Sequence, residues 1–246
     1  ANTTGSNNTA VGSAALGAST TAIESVAVGT FALDANTTGS YNTAVGYNAL
    51  SANTTGTRNT SLGWGANRMG TTGAHNTAIG DACMYQNDVT GSYNTGVGRE
   101  ALHYVIGSSN TAVGYQALFA NTTGASNTAI GQGALDSCTT GAENTSIGKA
   151  SMEDVTTGNY NVALGVEALR EATSAEENVA IGFQALEYAT GSNNSALGTK
   201  AGEDVTTGGN NFFIGRETGV SGSPGGSITT GNNEGVIAVS YTHLTL

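Results

Sequence analysis

The chain repeats a short alternation of polar and apolar residues thirteen times, at an almost constant spacing of 17 residues. Each copy reads Asn-Thr-Ala-Val/Ile-Gly or a close variant, opens with Asn except at Ser25, and has Val, Ile or Leu before its closing glycine. Only three of the twelve gaps differ from 17, each by one residue. Such alternation is typical of a short β-strand, and a fixed period of this length indicates stacked, nearly identical units. The closing glycines are Gly12, Gly29, Gly46, Gly63, Gly80, Gly98, Gly114, Gly131, Gly148, Gly165, Gly182, Gly198 and Gly215.

Each repeat is predicted to form one coil of a solenoid. A repeat of 17 residues is too short for the paired helices of the common helical repeats. Thr, Val and Ile at its start favour an extended backbone, whereas the closing glycine and the later Thr-Thr-Gly permit corners. We therefore predict an all-β fold, a parallel β-solenoid (β-roll) of about 13 coils with two short extended runs per coil.

The repeat predicts a single solenoid domain over residues 1–238, with coils anchored at Gly12 to Gly215 and a degenerate last coil over 216–238. Because the chain begins within a repeat, we expect it to be a fragment of a longer protein. Residues 239–246 match no part of the repeat and are interpreted as a non-native tail.

The alternation also predicts which residues face inward. It places Thr43 and Val45 on one face of the strand and Ala44 on the other. Apolar residues replace the threonine in several copies, so we expect the Thr/Val face to form the coil interior together with a second apolar column at Leu50 and its equivalents. The small middle residue is expected to pack against a sister subunit. The apolar replacements are Val26, Val162, Val179 and Phe212.

The asparagine that opens each copy is predicted to form a structural ladder. In a stack of coils these asparagines lie in register, and each side-chain amide is expected to bond the amide above it. Such a ladder satisfies corner groups that would otherwise be buried without a partner. Its members include Asn42, Asn59, Asn76, Asn94, Asn110, Asn127 and Asn144.

Charge and cysteine content exclude several classes of function. A formal net charge of −11 repels phosphate backbones, so we expect no nucleic-acid partner. No apolar stretch approaches the ~20 residues that cross a bilayer, so we expect no direct membrane insertion by this segment. Cys83 and Cys138 lie three coils apart, ~14 Å at ~4.8 Å per coil, which exceeds the ~7 Å Cα separation of a disulfide.

The sequence does not predict an enzyme. His75 and His103 lie in different coils, and no nucleophile, phosphate-binding or metal-binding signature is present. Acidic pairs at two corners, Glu153-Asp154 and Glu203-Asp204, have the chemistry of a calcium site or a glycosidase pair. Coils three apart cannot share ligands, so solvated turns are favoured. We predict no catalytic residues, no cofactor and no metal.

The pentapeptide resembles the Ser-Val-Ala-Ile-Gly repeats of YadA-like heads in trimeric autotransporter adhesins, which are also seen in phage tail fibres. The resemblance covers residues 8–215. It implies a left-handed β-roll, a homotrimer of parallel chains, and an extracellular location on a bacterial cell surface or a phage virion. The present repeat is longer than the usual head repeat and adds the Thr-Thr-Gly corner, and the chain contains no heptad stalk or membrane anchor.

Aromatic residues that directly follow closing glycines are the candidate ligand-binding residues. Tyr47 and Trp64 occupy adjacent coils, where their rings are expected to form a platform for a sugar ring. The alternative is that these rings shield the strand edge or pack on a sister chain. Together with the resemblance, this predicts an adhesin or fibre segment that binds a host glycan or matrix protein.

Two other functions stay open at this point. Threonine columns on a flat solenoid are compatible with ice binding, but Thr37-Thr38 and Thr54-Thr55 are adjacent rather than alternate, so only one of each pair points outward. A polysaccharide-cleaving β-solenoid enzyme is the other alternative, and a reducing-end assay tests it.

Overall fold

The fold is a single stack of parallel strands, one from each coil. The computed structural model describes residues 3–86, 90–220 and 229–237. Within these residues it contains three-residue strands and turns and no helix. The strands are β1 (Thr9–Val11), β2 (Val26–Val28), β3 (Thr43–Val45), β4 (Thr60–Leu62), β5 (Thr77–Ile79), β6 (Thr95–Val97), β7 (Thr111–Val113), β8 (Thr128–Ile130), β9 (Thr145–Ile147), β10 (Val162–Leu164), β11 (Val179–Ile181), β12 (Ser195–Leu197), β13 (Phe212–Ile214) and β14 (Gly235–Ile237).

The prediction of a parallel β-solenoid is confirmed. The 14 strands form one sheet in sequence order, and each strand pairs in parallel with the equivalent residues of the next repeat, as Thr43 does with Thr60 and Val45 with Leu62. The register also holds where the spacing deviates, since Ile79 pairs with Val97 across an 18-residue gap. The extra or missing residue is therefore accommodated outside the strands.

The last coil extends the sheet beyond the thirteen repeats. Strand β14 pairs with β13 although Glu234 and Ala238 flank it in the sequence, where the other repeats have asparagine or serine and the closing glycine. Part of the predicted last coil, residues 221–228, lies outside the described residues, as does the predicted non-native tail at 239–246.

The prediction of two extended runs per coil is wrong, because each coil contains one strand. After the closing glycine the backbone turns left-handed at alternate residues, for example at Asn48 (φ 56°) and Leu50 (φ 52°), and these angles interrupt an extended run. Stacking nevertheless continues through this segment, because the Leu50 N–H donates to the Ala66 carbonyl of the next coil at 2.9 Å.

The predicted orientation of the strand faces is also wrong. Ala44 is fully buried, whereas Thr43 and Val45 are only partly buried at the outer face of the sheet. The core of each coil consists of the middle alanine and the leucine column, in which Leu50 is 0% exposed. The physical reason is the narrowness of the coil, whose interior accommodates one leucine beside a methyl group. The small-residue column therefore cannot be the face that meets a sister subunit.

Phe213 shows how closely these two columns compensate for each other. It occupies the middle strand position, where most copies have alanine, and is fully buried. The leucine column is vacant beside it, at Gly202 and Gly219, and a Cβ at these two glycines would lie 2.9 Å and 2.5 Å from the phenyl ring. The large side chain is thus accommodated by the loss of two leucines.

The asparagine column is buried, but its hydrogen bonds differ from the predicted amide-to-amide ladder. Asn42 Oδ1 accepts the backbone N–H of Asn59 at 2.9 Å, and Asn42 Nδ2 donates to the carbonyl of Gly56 at 2.8 Å. Each asparagine thereby joins the start of the next strand to the Thr-Thr-Gly corner that precedes it. Direct side-chain pairs also occur, as between Asn144 Nδ2 and Asn127 Oδ1 at 3.1 Å.

Candidate functional site

Aromatic rings form a continuous column along part of the solenoid. The rings of Tyr47 and Trp64 lie parallel, with centroids 6.4 Å apart and an interplanar angle of 13°. Trp64 then stacks on Tyr85 at 5.3 Å, Tyr85 on His103 at 5.6 Å, and His103 on Phe119 at 5.0 Å. The candidate pair from the sequence is therefore one end of a longer stack, which we call the aromatic column.

The three members that the sequence analysis missed share another position of the repeat. Tyr85, His103 and Phe119 each lie five residues after a closing glycine, whereas Tyr47 and Trp64 directly follow one. We call this fifth position the variable column, because it holds acids, bases, a hydroxyl and aromatic rings, whereas the column directly before it is mostly leucine. Aligning the repeats on their glycines reveals this column. It comprises Gly17, Asp34, Ser51, Arg68, Tyr85, His103, Phe119, Asp136, Glu153, Arg170, Glu187, Glu203 and Val220.

Within the aromatic column, each ring from Trp64 to Phe119 stacks face to face on the next one. His103 is 8% exposed, and its burial lowers the pKa of the imidazole. Its Nδ1 lies 3.2 Å from the Ala82 carbonyl oxygen. The buried, stacked imidazole therefore completes the column rather than presenting a base to solvent.

The parallel stacking of the aromatic column ends at Tyr47. Phe31 does not continue the stack but meets Tyr47 edge to face, at 6.2 Å and 78°. Tyr47 and Trp64 are 46% and 48% exposed. Beside Tyr47 lies a groove of about 320 Å³, lined among others by Phe31, Asp34, Asn48, Ser51 and Arg68. We call it the Tyr47 groove.

Arg68 is held in place at the edge of this groove. Its Nη1 donates to the hydroxyl of Tyr85 at 2.9 Å, and its guanidinium carbon lies 5.2 Å from the centre of that ring. A guanidinium above an aromatic face gains cation–π stabilisation. The side chain is therefore positioned before any ligand arrives.

After Phe119 the variable column carries charged residues in five consecutive coils, from Asp136 to Glu203. Arg170 pairs with Glu187 and Glu171, each at 2.9 Å. Burial raises the pKa of the Glu187 carboxyl, although the charge of Arg170 opposes this. Burial, together with Glu153, raises the pKa of Asp136 to about 6. Among residues 3–86, 90–220 and 229–237 no three His, Cys, Asp or Glu side chains converge on a possible metal site.

The structure separates the two histidines that the sequence analysis considered. His75 stacks on Tyr93, with ring centroids 4.9 Å apart, whereas His103 lies within the aromatic column. Of the corner acids, Glu153 and Asp154 lie close enough to Asp136 to influence its pKa. Lys200 binds Glu203 at 2.7 Å.

The two cysteines are buried, free thiols. Burial raises the pKa of Cys83 to about 12 and that of Cys138 to about 11. Since the thiolate is the nucleophile, we expect neither thiol of the folded protein to react with Ellman's reagent at about pH 8, whereas both react rapidly in concentrated guanidinium chloride. Fast modification of the folded chain would contradict the burial of these residues.

Comparisons with known proteins identify no relative: no family model, no curated protein and no solved structure matches this chain. In the described part of the chain there is no helix with the length and apolar character that a membrane span requires.

Proposed function

We propose that this solenoid is a segment of a cell-surface or virion attachment rod, which associates as a homotrimer and binds a host glycan or matrix protein through contacts repeated along its length. The observation that carries the proposal is the uncharged, partly exposed outer face of the sheet. It is accompanied by the exposed rings of Tyr47 and Trp64 elsewhere on two of the same coils.

The outer face of the sheet carries a continuous apolar column, because the third residue of every described strand is Val, Ile or Leu. The first and the third residue of each strand lie on this outer face. They are uncharged in every described strand, although the chain has a net charge of −11. Several of them are well exposed, including Leu62 at 46% and Leu197 at 50%. A contiguous apolar strip of this kind marks an interaction surface. A second copy of the same rod offers a strip of equal length and period, and the resemblance to trimeric heads supports three copies.

Trimer formation is tested by a charge on the sheet face. We expect the protein to have three times its chain mass of 24.4 kDa in light scattering. Ile130→Glu should yield folded monomers. Ile130 is 38% exposed in the single chain, but the proposed trimer would bury it, and a buried, unpaired carboxylate costs several kcal/mol. The matched control is Thr140→Glu, at an exposed corner, which should remain trimeric. A wild-type protein that is folded and monomeric would refute the proposed assembly.

Attachment is tested with the same two variants on arrays of immobilised glycans and matrix proteins. Repeated weak sites on three chains gain about 10²–10⁴ in apparent affinity by multivalency. We therefore expect Ile130→Glu to lose binding at least ~100-fold while Thr140→Glu retains it. If the trimer binds none of these surfaces, the proposed attachment function is wrong even though the assembly is right.

One observation favours ice binding as a second candidate. The threonines of the corners are unsuited to it, because the Thr37 hydroxyl donates to the Thr54 carbonyl at 3.0 Å. The outer sheet face, however, presents an alternate hydroxyl and methyl pair in many coils, such as Thr43 and Val45. This face is free to order water only in a monomer. Thermal hysteresis from a monomeric wild-type protein would favour ice binding over attachment.

A further inference from the structure

We propose that the Tyr47 groove binds a neutral hexose unit of a glycan chain. This inference rests on the proposed attachment function and deepens it, since it names the class of ligand and the residues that contact it.

The apolar walls of the groove are suited to a sugar ring. Phe31 and Tyr47 meet edge to face at 78°, so Phe31 does not cover Tyr47 with a parallel ring as Trp64 covers Tyr85. The Phe31 and Tyr47 rings both remain exposed, at 39% and 46%, and the axial C–H groups of a pyranose pack on exposed aromatic surface in the way that other apolar groups do. The volume of about 320 Å³ lies at the lower end of the range for ligand sites, which is appropriate for one or two sugar units rather than a folded partner.

The polar lining is arranged as a row. Asp34, Ser51 and Arg68 occupy the variable column in three consecutive coils, so that at ~4.8 Å per coil they span about 10 Å along the rod. The row runs from a hydrogen-bond acceptor, through a hydroxyl, to a donor. The hydroxyl groups of a sugar ring donate and accept along a comparable length, and Asn48 adds both functions at the side of the groove.

The charges in the groove favour a neutral ligand over an acidic one. Among its lining residues one carboxylate, Asp34, accompanies one guanidinium, Arg68, so a charged ligand would meet a like charge. The chain as a whole carries −11 and repels anionic polysaccharides at long range. The guanidinium of Arg68 is already held by its hydrogen bond to the Tyr85 hydroxyl at 2.9 Å. Fixing this side chain to bind a sugar hydroxyl therefore costs little conformational entropy.

The test uses saturation-transfer NMR on the intact protein with maltose, cellobiose and lactose as neutral probes, and with a hyaluronan disaccharide and an acidic peptide as charged probes. We expect at least one neutral disaccharide to bind with a Kd in the millimolar range, typical of a single shallow site, and the charged probes to bind at least ~10-fold more weakly. Tighter binding of either charged probe, or no binding of the neutral ones, would overturn the assignment.

Two variants locate the site. Tyr47→Ala should weaken binding of the neutral disaccharide ~10-fold or more. Tyr160→Ala, which removes a tyrosine of comparable exposure outside the groove, at 54% against 46%, should not. Circular dichroism and the melting temperature check that both variants fold. Unchanged binding by Tyr47→Ala would place the sugar elsewhere. If the trimer adheres to a surface equally well with and without Tyr47, the groove assignment fails while the attachment function stands; if it adheres to none, the attachment function itself fails.

Discussion

Replacing Gly131 by alanine is expected to destabilise the solenoid by about 3 kcal/mol or more. Gly131 has φ +134°, a backbone conformation that is essentially restricted to glycine. A Cβ at this position would lie 2.5 Å from the carbonyl oxygen and 2.7 Å from the carbonyl carbon of Gly148 in the next coil. These atoms belong to backbone that is fixed by the pairing of β8 with β9, so the clash is relieved only if the coils separate.

The measurement is thermal unfolding, combined with hydrogen exchange of amides near the substitution. A loss of about 3 kcal/mol corresponds to a fall in melting temperature of roughly 6 °C or more in a chain of this size. The matched control is Gly133→Asn, two residues away. Gly133 has φ +64° and its added Cβ would approach only Glu153 Oε1, at 3.9 Å, and the equivalent residue Asn48 adopts φ 56°. Equal destabilisation by both variants would show that backbone freedom, and not the approach of coils, explains the glycine column.

The repeat period was sufficient to predict the fold because stacking is a one-dimensional problem. Once a 17-residue unit returns with its asparagine and glycine in phase, parallel in-register pairing satisfies the backbone of every coil in the same way. The pairing of Thr43 with Thr60 and of Val45 with Leu62 follows directly from the alignment of the repeats.

The inward face was predicted wrongly because alternation defines two faces but does not say which is buried. The apolar replacements of the threonine suggested that the Thr/Val face is internal. The structure shows that an apolar residue is compatible with the outer face, as at Val162, which is 37% exposed. The narrow interior selects alanine. The sequence does contain one signal of the inner face. The large Phe213 occurs together with glycine at positions 202 and 219 of the leucine column, and only two columns that share the interior need to compensate for each other in size.

The candidate site was only partly predictable, because its residues come from two positions of the repeat. Tyr47 and Trp64 share one position, and their proximity follows from the period. Tyr85 belongs to the variable column, and its stacking on Trp64 depends on where the backbone turns after each closing glycine. The left-handed residues that set this path, such as Leu50 and Met84, carry no sequence signal of a turn.

Replacing Asn127 by alanine is expected to cost about 3 kcal/mol or more, since it removes several buried hydrogen bonds at once. Asn127 is fully buried. Its Oδ1 accepts the backbone N–H of Asn144 at 3.0 Å, and its Nδ2 donates to the carbonyl of Gly141 at 2.7 Å. Alanine leaves both backbone groups without these partners in the dry interior, and each unsatisfied group costs about 1–3 kcal/mol.

The matched control is Asn121→Ala, which removes the same side chain from an equally buried position of an adjacent coil. Neither polar atom of the Asn121 side chain makes a hydrogen bond of good geometry with the described residues, although it lies beside the Cys138 thiol. The same position holds Val155 and Ala172 in later coils. We therefore expect a change of about 1 kcal/mol or less, so that only Asn127→Ala lowers the melting temperature by several degrees. Comparable losses in the two variants would mean that asparagine stabilises the solenoid by filling space, whereas the expected contrast assigns its role to the bond between each corner and the strand that follows.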